Sequence, residues 1–383
     1  MKVVFAHDHR FVHVGEQYFS KGGLPAKVLE RYTAVFDEVR VVSRQVESAT
    51  SQGLSTASAK RVSFAKVPDV ASLRGLLQYR QAINIVEHEV ADCDAVIARL
   101  PSEVGQIAFR TAQRLGKPVL VEVVGSAWGS VWHHSLRGKL VAPVSYLRAR
   151  RAVRDAPFVL YITDSYLQRR YPTKGRWVSC ANVDLDVTTD GPLVTTSGQM
   201  NKAGGQVLVG SCGAVNVRAK GHHLMVEAIP RLIKRGYDVR YEIVGGGDPA
   251  PLIALAAKLG VSDRIALLGN KPHPQVLEWM RTLDLYLQPS LSEGQGRALL
   301  EAMGAGCACV SADVEGMQEL MPRRFRFRRG DVGSLCDSVM YALSNLAMCR
   351  NDALERAKDF ERASLDERRQ RFFQDFRLWI EGR

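Results

Sequence analysis

Apolar strands, glycine-containing loops and amphipathic helices alternate along this chain, and the alternation runs twice. The first run begins with a buried strand at residues 3–6, and the second restarts with a strand at 207–211. Strand–helix alternation at this spacing predicts parallel sheets that are covered by helices on both faces. We therefore predict an α/β protein with two doubly wound, Rossmann-like parallel-sheet domains that bind ligands at the carboxyl ends of their strands.

The domain boundaries follow from a polar segment, rich in glycine and threonine, at residues 188–205. This composition interrupts the alternation and predicts a linker. The linker separates an N-terminal domain (1–187) from a C-terminal domain (206–351), and a last helix is predicted at about 352–383. Two domains are also the expected organisation for 383 residues.

One stretch of the second domain, residues 290–306, has the features of a phosphate-binding turn. Its glycines, Gly294 and Gly296, stand between a predicted strand and a predicted helix. The N-terminus of a helix presents unpaired N–H groups and a partial positive charge, which suits an anion. Glu293 precedes the turn and Glu301 lies about one turn inside the helix, so one ligand can reach both carboxylates. A phosphate site beside acceptors for sugar hydroxyls indicates a sugar nucleotide.

This Glu-x7-Glu spacing, with glycines after the first Glu and Glu-Ala-Met-x-x-Gly at the second, resembles the signature of the family-4 (group 1) retaining glycosyltransferases. Members of that family have the GT-B fold, in which two Rossmann-like domains face each other across a cleft and the last helix packs on the first domain. The resemblance implies transfer of a sugar from a nucleoside diphosphate sugar to a glycan or lipid-linked acceptor. Bacterial surface polysaccharide is the expected product class.

The resemblance also assigns roles to side chains of the second domain. Glu293 is expected to hold hydroxyls of the transferred sugar and Glu301 those of the ribose, while the N–H groups at the helix start hold the distal phosphate. Lys220 stands where the family has a lysine that neutralises the leaving diphosphate. The predicted catalytic residues are Lys220 and Glu293. The predicted donor-binding residues are Gly213, Arg218, Asn270, Gly294, Gln295, Gly296, Arg297, Ala298 and Glu301.

One position departs from the family pattern. Ala214 stands where the family has a second basic residue, an arginine. A charged hydrogen bond contributes about 1.5–3 kcal/mol, so an uncompensated loss would slow the reaction roughly 10- to 150-fold. Arg218 and Arg297 are the candidates to replace the missing side chain.

The first domain offers weaker signals. Gly22 and Gly23 precede a helix and resemble the glycine loop that lets a diphosphate or acceptor approach, although a plain tight turn explains them equally well. Glu122, at the end of a later strand, is either a ligand-binding group or a satisfied structural carboxylate. His7, Asp8 and His9 fall in a predicted loop after the first strand, where contact with the acceptor is expected.

No metal and no cofactor are predicted, with the sugar nucleotide as co-substrate. Asp92-Cys-Asp94 and Asp184-Leu-Asp186 match the Asp-x-Asp of metal-dependent transferases, but neither lies beside a phosphate loop. The seven cysteines are an odd number without a zinc-binding pattern, which indicates reduced, structural thiols.

The net charge of +12 raises the question of an anionic partner. No nucleic-acid-binding motif accompanies the basic clusters, so nucleic acid is not predicted as a partner. An anionic membrane surface, at about 1 kcal/mol per basic side chain, and a solvated basic face remain open. The chain lacks both an apolar run long enough to span a bilayer and a signal-peptide pattern. This predicts a cytoplasmic protein, with a peripheral position on the inner face of the membrane as an open alternative.

Two other functions remain compatible with this sequence. A UDP-sugar epimerase or a phosphorylase uses the same two domains for different chemistry. A non-catalytic partner subunit would explain Ala214. An NAD-dependent dehydrogenase is not expected, because no Gly-x-Gly-x-x-Gly follows the first strand.

Overall fold

The structure, a computed structural model, describes residues 1–69, 75–126, 136–187 and 205–383. These residues form two compact units. The first unit consists of Met1–Cys180 and Leu365–Arg383, and the second of Ala181–Ser364. Both units are built from predominantly parallel strands with helical connections, as the alternation in the sequence predicts.

The first unit contains the following strands and helices in chain order: β1 (Lys2–Val14), β2 (Gln17–Ser20), α1 (Ala26–Thr33), β3 (Glu38–Glu47), β4 (Ser55–Thr56), β5 (Val62–Val67), α2 (Gly75–Ala91), β6 (Ala95–Leu100), α3 (Glu103–Arg114), β7 (Val119–Val123), α4 (Leu136–Asp155), β8 (Phe158–Tyr161), α5 (Tyr166–Arg170) and β9 (Arg176–Ser179). Its parallel strands lie in the order β5-β3-β1-β6-β7-β8-β9, and β2 and β4 join the sheet in antiparallel pairing. The strand order changes direction between β1 and β6, which is the topological switch point of this sheet.

Successive side chains of the first sheet face opposite layers of helices, which explains why its strands are apolar throughout. On one face, Val4 and Val96 belong to a core cluster with side chains of α2, α3 and α4. On the other face, the Phe5 ring lies 5.0 Å from the Tyr32 ring of α1. The last helix of the chain covers the same face, since its Phe373 ring lies 5.3 Å from that of Tyr32.

The second unit contains the following elements: β10 (Val207–Cys212), a 3₁₀ turn (Arg218–Lys220), α6 (His222–Lys234), β11 (Val239–Val244), α7 (Ala250–Lys258), β12 (Ile265–Leu267), α8 (His273–Arg281), β13 (Leu285–Gln288), α9 (Arg297–Gly304), β14 (Cys309–Ala312), α10 (Glu315–Gln318), β15 (Arg326–Phe327), α11 (Val332–Ser344) and α12 (Leu346–Lys358). The helix α13 (Arg362–Glu381) begins in the second unit and packs on the first. The second sheet is parallel in the order β12-β11-β10-β13-β14-β15. Its direction changes between β10 and β13, where a ligand site is expected.

The region between the two units differs from the sequence prediction. The first unit ends at Cys180 rather than at residue 187, because the next residues pack on the second unit. The Leu185 carbonyl accepts from the Arg362 backbone N–H at 2.8 Å, and the Leu185 side chain lies against Gly304. Most of the predicted linker, residues 188–204, falls outside the described residues.

The predicted helix at 352–383 is two helices, α12 and α13. They are separated at residues 359–361, where Phe360 is buried and the Arg356 guanidinium stacks over its ring. Only α13 contributes residues to the first unit. Apolar periodicity alone does not show such a break, since both segments have helical spacing.

The predicted loop after the first strand is also different, because β1 continues to Val14. Its pairing with β3 is interrupted between Ala6 and Arg10 by a register shift. This β-bulge contains His7, Asp8 and His9, and bulges commonly redirect side chains. The Asp8 carboxylate accepts from the Glu103 and Val104 backbone N–H groups and so caps α3.

Two expectations about the whole chain can be compared with the structure. All seven cysteines are free, and all but Cys212 are buried. Among the helices of the described residues, none has both the length and the apolar composition that crossing a bilayer requires.

Candidate donor-binding site at the edge of the second sheet

The predicted donor-binding residues of the second unit lie mainly in loops that follow the carboxyl ends of its parallel strands. Residues 213–220 follow β10, residues 245–247 follow β11, residues 268–271 follow β12, and residues 289–296 follow β13. Because β10 and β13 are neighbours at the switch point, the loops after them meet.

The two predicted catalytic side chains are in direct contact. Lys220 Nζ donates to Glu293 Oε2 at 2.8 Å, and the side chains are 31% and 19% exposed, respectively. The loops that carry them are joined by a hydrogen bond of 2.7 Å from the Leu291 N–H to the Ala219 carbonyl. Gly221 lets the backbones approach, since a Cβ at this position would lie 1.8 Å from the Pro289 carbonyl oxygen. The geometry therefore holds an ammonium group and a carboxylate together at the switch point.

Behind Glu293, a line of buried polar side chains extends into the sheet. Tyr286 OH donates to Gln288 Oε1 at 2.8 Å, Gln288 Nε2 donates to Ser290 Oγ at 2.8 Å, and Ser290 Oγ donates to Glu293 Oε2 at 3.2 Å. At the inner end, the Cys212 backbone N–H donates to the Tyr286 hydroxyl at 3.3 Å. Tyr286, Gln288 and Ser290 are each at most 2% exposed. A fully connected buried network of this kind fixes the position of the carboxylate at its end.

The glycine turn has the backbone geometry that a phosphate site requires. Gly296 has φ +68° and immediately precedes α9, and no side chain of the described residues caps that helix. The turn is also tightly enclosed, because a Cβ on Gly296 would lie 2.2 Å from Met317 Cε. The first N–H groups of α9, from Arg297 and Ala298 onward, are thus open to an anionic ligand.

Glu301, one turn into α9, has a partner that the sequence did not indicate. His273 Nε2 lies 3.2 Å from Glu301 Oε1, and the histidine is 52% exposed. The hydrogen bond that the imidazole donates to this carboxylate raises the pKa of His273 above its ordinary value. His273 is the first residue of α8, three residues beyond Asn270, and its position before a proline gave no sign of this contact.

Electrostatic effects on Cys212, at the end of β10, show that the charged groups lie close together. Burial and, to a smaller extent, the Glu301 carboxylate raise the pKa of the Cys212 thiol to about 11, while the charges of Lys220 and Arg297 act to lower it. Arg297 also acts on His273, whereas Arg218 acts on His223, which is part of α6. Of the two candidates for the arginine missing at Ala214, Arg297 is the one whose charge acts on both Cys212 and His273.

Close backbone packing joins the loops that follow β10, β11 and β12. A Cβ on Gly245 would lie 2.0 Å from the Gly213 carbonyl oxygen, and one on Gly246 would lie 2.6 Å from Asn270 Nδ2. The triple glycine at 245–247 is therefore required by contact with the neighbouring loops and is more than a flexible turn. Asn270 itself is exposed.

Gln295 lies in the predicted turn, but its side chain is directed elsewhere. It is 6% exposed, and its Oε1 accepts from the Asn182 backbone N–H at 3.2 Å. In this structure, its observed contact is with the segment that enters the second unit.

The candidates in the first unit lie at the carboxyl edge of their own sheet. Gly22 has φ +97°, and a Cβ on Gly23 would lie 3.3 Å from His9 Cε1, so this loop rests on the β1 bulge. Glu122, 4% exposed, accepts from Tyr32 OH at 2.8 Å and lies 3.8 Å from Arg99 Nε. Residues 127–135, which follow Glu122 and the end of β7, lie outside the described residues.

Both Asp-x-Asp matches are occupied by ion pairs. Asp92 pairs with Lys2, and Asp184 and Asp186 pair with Arg362. Within the described ranges, no group of three or more His, Cys, Asp or Glu side chains has the arrangement needed to hold a metal ion.

The second unit thus combines a doubly wound sheet with a glycine turn, a helix N-terminus, two carboxylates and a lysine at its switch point. Residues 206–345 match the family described as glycosyl transferases group 1. The second unit is accordingly a group 1 glycosyltransferase domain, and the chain is a glycosyltransferase with the GT-B fold.

Comparison with individual proteins extends the similarity over nearly the whole chain. Protein CapJ of Staphylococcus aureus is 28% identical over 371 residues, which cover 96% of this chain and 92% of CapJ. The structure of Anabaena HepE in complex with UDP superposes with a TM-score of 0.67 at 16% identity, covering 96% of this chain and 98% of HepE. That of the lipopolysaccharide outer core galactosyltransferase WaaB gives a TM-score of 0.65 at 15% identity and covers 99% of both chains.

Proposed function

We propose that this glycosyltransferase moves a sugar, with retention of anomeric configuration, from a nucleoside diphosphate sugar to a glycan or lipid-linked acceptor in bacterial surface polysaccharide synthesis. The observation that carries the proposal is the 2.8 Å contact of Lys220 with Glu293, beside the uncapped N-terminus of α9. The complex of HepE with UDP and the lipopolysaccharide substrate of WaaB support the donor and the product class, respectively.

In this proposal, each side chain acts on one part of the donor. The first N–H groups of α9 hold the distal phosphate, and Glu301 accepts from the ribose hydroxyls. Lys220 stabilises the charge that develops on the leaving diphosphate, and Arg297 takes the place of the arginine missing at Ala214. Glu293, fixed by the buried network behind it, accepts from hydroxyls of the transferred sugar.

The chemical step follows from this arrangement. The bond between the anomeric carbon and the phosphate oxygen breaks, and the acceptor hydroxyl attacks the same face of the sugar. The proton of that hydroxyl passes to the departing phosphate, so no further protein base is needed. No divalent metal takes part in the proposal, because Lys220 and the helix N-terminus stabilise the diphosphate charge; an unchanged rate after addition of EDTA is the expected result.

The proposal extends to an anionic membrane surface as the place of reaction. On α4, Val144 and Leu147 are 56% and 62% exposed, respectively, and two exposed arginines, Arg150 and Arg151, follow one turn later. Apolar side chains next to basic ones on one helix face favour insertion between anionic headgroups. A lipid-linked acceptor would be met at such a surface.

The test is a panel of sugar nucleotides in a thermal unfolding assay. A ligand at about 100 times its Kd adds about 2.7 kcal/mol of stability, so the correct donor should raise the midpoint by several degrees. The products of the donor that binds best are then identified in the presence of candidate glycan acceptors. Transfer to a glycan supports the proposal, whereas an epimerised sugar nucleotide or a sugar phosphate identifies the alternative enzymes. Absence of stabilisation by any sugar nucleotide would contradict the proposal.

A further inference from the structure

The first unit contains a buried cation whose hydrogen-bonding capacity is not used. Arg99, near the end of β6, is 6% exposed, and its Nε has no hydrogen-bond partner within the described residues. The nearest carboxylate oxygen, Glu122 Oε2 on the neighbouring strand, is 3.8 Å from Nε, beyond hydrogen-bonding distance. Buried charges are normally both paired and hydrogen-bonded, so Arg99 requires an explanation.

Glu122 is not positioned to satisfy Arg99 fully. Its other oxygen, Oε1, accepts from the Tyr32 hydroxyl at 2.8 Å. An arginine whose role is a structural ion pair usually donates two parallel hydrogen bonds of 2.7–2.9 Å to its carboxylate. The separation of Arg99 and Glu122 instead leaves the guanidinium available to a second, oxygen-containing partner.

The position of Arg99 in the fold favours a ligand as that partner. The β1 and β6 strands are neighbours at the switch point of the first sheet, where ligands bind in doubly wound proteins. At the same edge, the β1 bulge presents His7 and His9. The Arg99 charge, together with burial, holds the pKa of His7 well below its ordinary value and lowers that of His9 to about 4. Both imidazoles therefore lie near the guanidinium and are neutral near pH 7.

The glycine loop shares one of these neighbours. A Cβ on Gly23 would lie 3.3 Å from His9 Cε1, so the glycine backbone packs closely against this imidazole. The Nε2 atom of the same His9 ring lies 2.9 Å from Ser20 Oγ. The same Ser20 hydroxyl accepts from the Leu24 backbone N–H at 3.1 Å, which ties the loop to the bulge. The loop therefore packs against the same imidazole on which the Arg99 charge acts.

A second arginine of this region, Arg44, is already satisfied. Its Nε donates to the Asp8 carbonyl at 2.7 Å, and its Nη1 donates to Asp69 Oδ1 at 3.0 Å. Arg44 therefore holds the bulge in place, and Arg99 differs from it in having its Nε free of any hydrogen bond in the described structure.

We propose that Arg99 binds an oxyanion, a phosphate or carboxylate group of a substrate, at the Gly22–Gly23 edge of the first sheet. The planar guanidinium fork matches both groups, and glycines without side chains let the anion reach it. Identifying the oxyanion as part of a substrate rests on the proposed glycosyl transfer. Its two possible sources are the diphosphate of the donor and an acidic group of the acceptor, which the experiment separates.

The experiment compares the wild-type protein with Arg99→Gln, Arg99→Lys and a control, Arg114→Gln, which removes an arginine that is 59% exposed. Thermal midpoints are measured in inorganic phosphate and, as the reference, in chloride at the same ionic strength. They are also measured with a nucleoside diphosphate alone and with phosphate and the nucleoside diphosphate together. We expect at least tenfold weaker phosphate binding in Arg99→Gln, partial retention in Arg99→Lys because the charge remains without the fork, and wild-type binding in the control.

The source of the oxyanion follows from the combination of ligands. If it belongs to the acceptor, phosphate still stabilises the wild type when a nucleoside diphosphate is saturating, and Arg99→Gln loses only this increment. If it belongs to the donor, Arg99→Gln weakens the nucleoside diphosphate itself and phosphate adds nothing. Equal responses of Arg99→Gln and wild type in all arms would overturn the proposal. A protein that no sugar nucleotide stabilises would refute the glycosyl transfer, while the phosphate arm would still report on Arg99.

Stability provides a second readout that distinguishes binding from structure. In the double variant Arg99→Met with Glu122→Gln, the buried charges are removed and the amide oxygen can still accept from Tyr32. Since the pair forms no close hydrogen bond, we expect a thermal midpoint equal to or above that of the wild type, together with loss of the phosphate response. A lower midpoint with an intact phosphate response would identify the pair as structural and contradict the proposal.

Discussion

Replacing Lys220 by methionine tests the proposed stabilisation of the leaving group most directly. Methionine keeps most of the length of the side chain and removes the charge. If Lys220 donates to a diphosphate on which charge develops, its loss resembles removal of one oxyanion donor, which costs about 2.7–4 kcal/mol, or roughly 100- to 1000-fold in kcat. We expect a fall in kcat of this size at saturating donor.

The same substitution should have only a small effect on stability. The Lys220–Glu293 pair is partly exposed, and pairs of this kind contribute at most about 1 kcal/mol. Glu293 also keeps its hydrogen bond of 3.2 Å from Ser290 Oγ after the lysine is removed. For a unit of this size, the expected decrease in the thermal midpoint is then no more than about 4 °C.

The assay measures the release of nucleoside diphosphate from the sugar nucleotide that stabilises the wild type best. Lys258→Met is the matched control, because Lys258 is an exposed lysine at the end of α7 in the same unit. A loss of less than tenfold in Lys220→Met at saturating donor would refute the assigned role. So would a loss that is fully explained by unfolding at the assay temperature.

Three further predictions concern the turn, the histidine and the membrane surface. In denaturant unfolding, Gly296→Ala should lower the free energy of unfolding by about 2–4 kcal/mol, because of the φ of +68° and the contact with Met317. The control Gly260→Ala, at φ +67° with open space around the new Cβ, should lower it by about 1–2 kcal/mol. Equal losses would disprove the contact. Because the pKa of His273 is raised in the folded state, its pair with Glu301 stabilises below about pH 6.5 and is lost as the pH rises through the raised pKa. The thermal midpoint of His273→Gln should accordingly lie below that of the wild type near pH 6 and coincide with it near pH 9; a difference independent of pH would contradict the pairing. Leu147→Asp should reduce sedimentation with anionic vesicles at low salt, while Ile253→Asp, at a 50% exposed site in the second unit, should not; equal sedimentation would exclude α4 as the membrane contact.

The sequence predicted which loops of the second unit lie together, because the residues involved are local to strand ends. A strand, a glycine turn and a helix are specified by neighbouring residues, and parallel topology then brings all carboxyl ends to one edge. Lys220 and Glu293 are far apart in the sequence, yet the order β10-β13 makes their loops adjacent. The family signature indicated which of the polar residues at that edge would face the ligand.

Contacts that depend on packing across the fold were not predictable in the same way. The alternation of Tyr286, Gln288 and Ser290 implies that they share one face of a strand, but a buried strand of aliphatic neighbours normally carries apolar residues there. The hydrogen bonds that join them depend on the folded structure, in which the Cys212 backbone N–H on the neighbouring strand donates to the Tyr286 hydroxyl at the inner end. The contact of His273 with Glu301 likewise depends on how α8 is placed beside α9.

The two sheets illustrate what topology decides and what it leaves to side-chain packing. Each has a basic and an acidic residue at or beside its switch point, Lys220 with Glu293 in the second unit and Arg99 with Glu122 in the first. The first-named pair is in contact at 2.8 Å, whereas the other is buried and separated by 3.8 Å. Tyr32 accounts for part of this difference, because its hydroxyl occupies one oxygen of Glu122. A buried guanidinium is costly without hydrogen bonds, so a fold that retains one at its ligand edge implies an anion that completes the coordination when substrate binds.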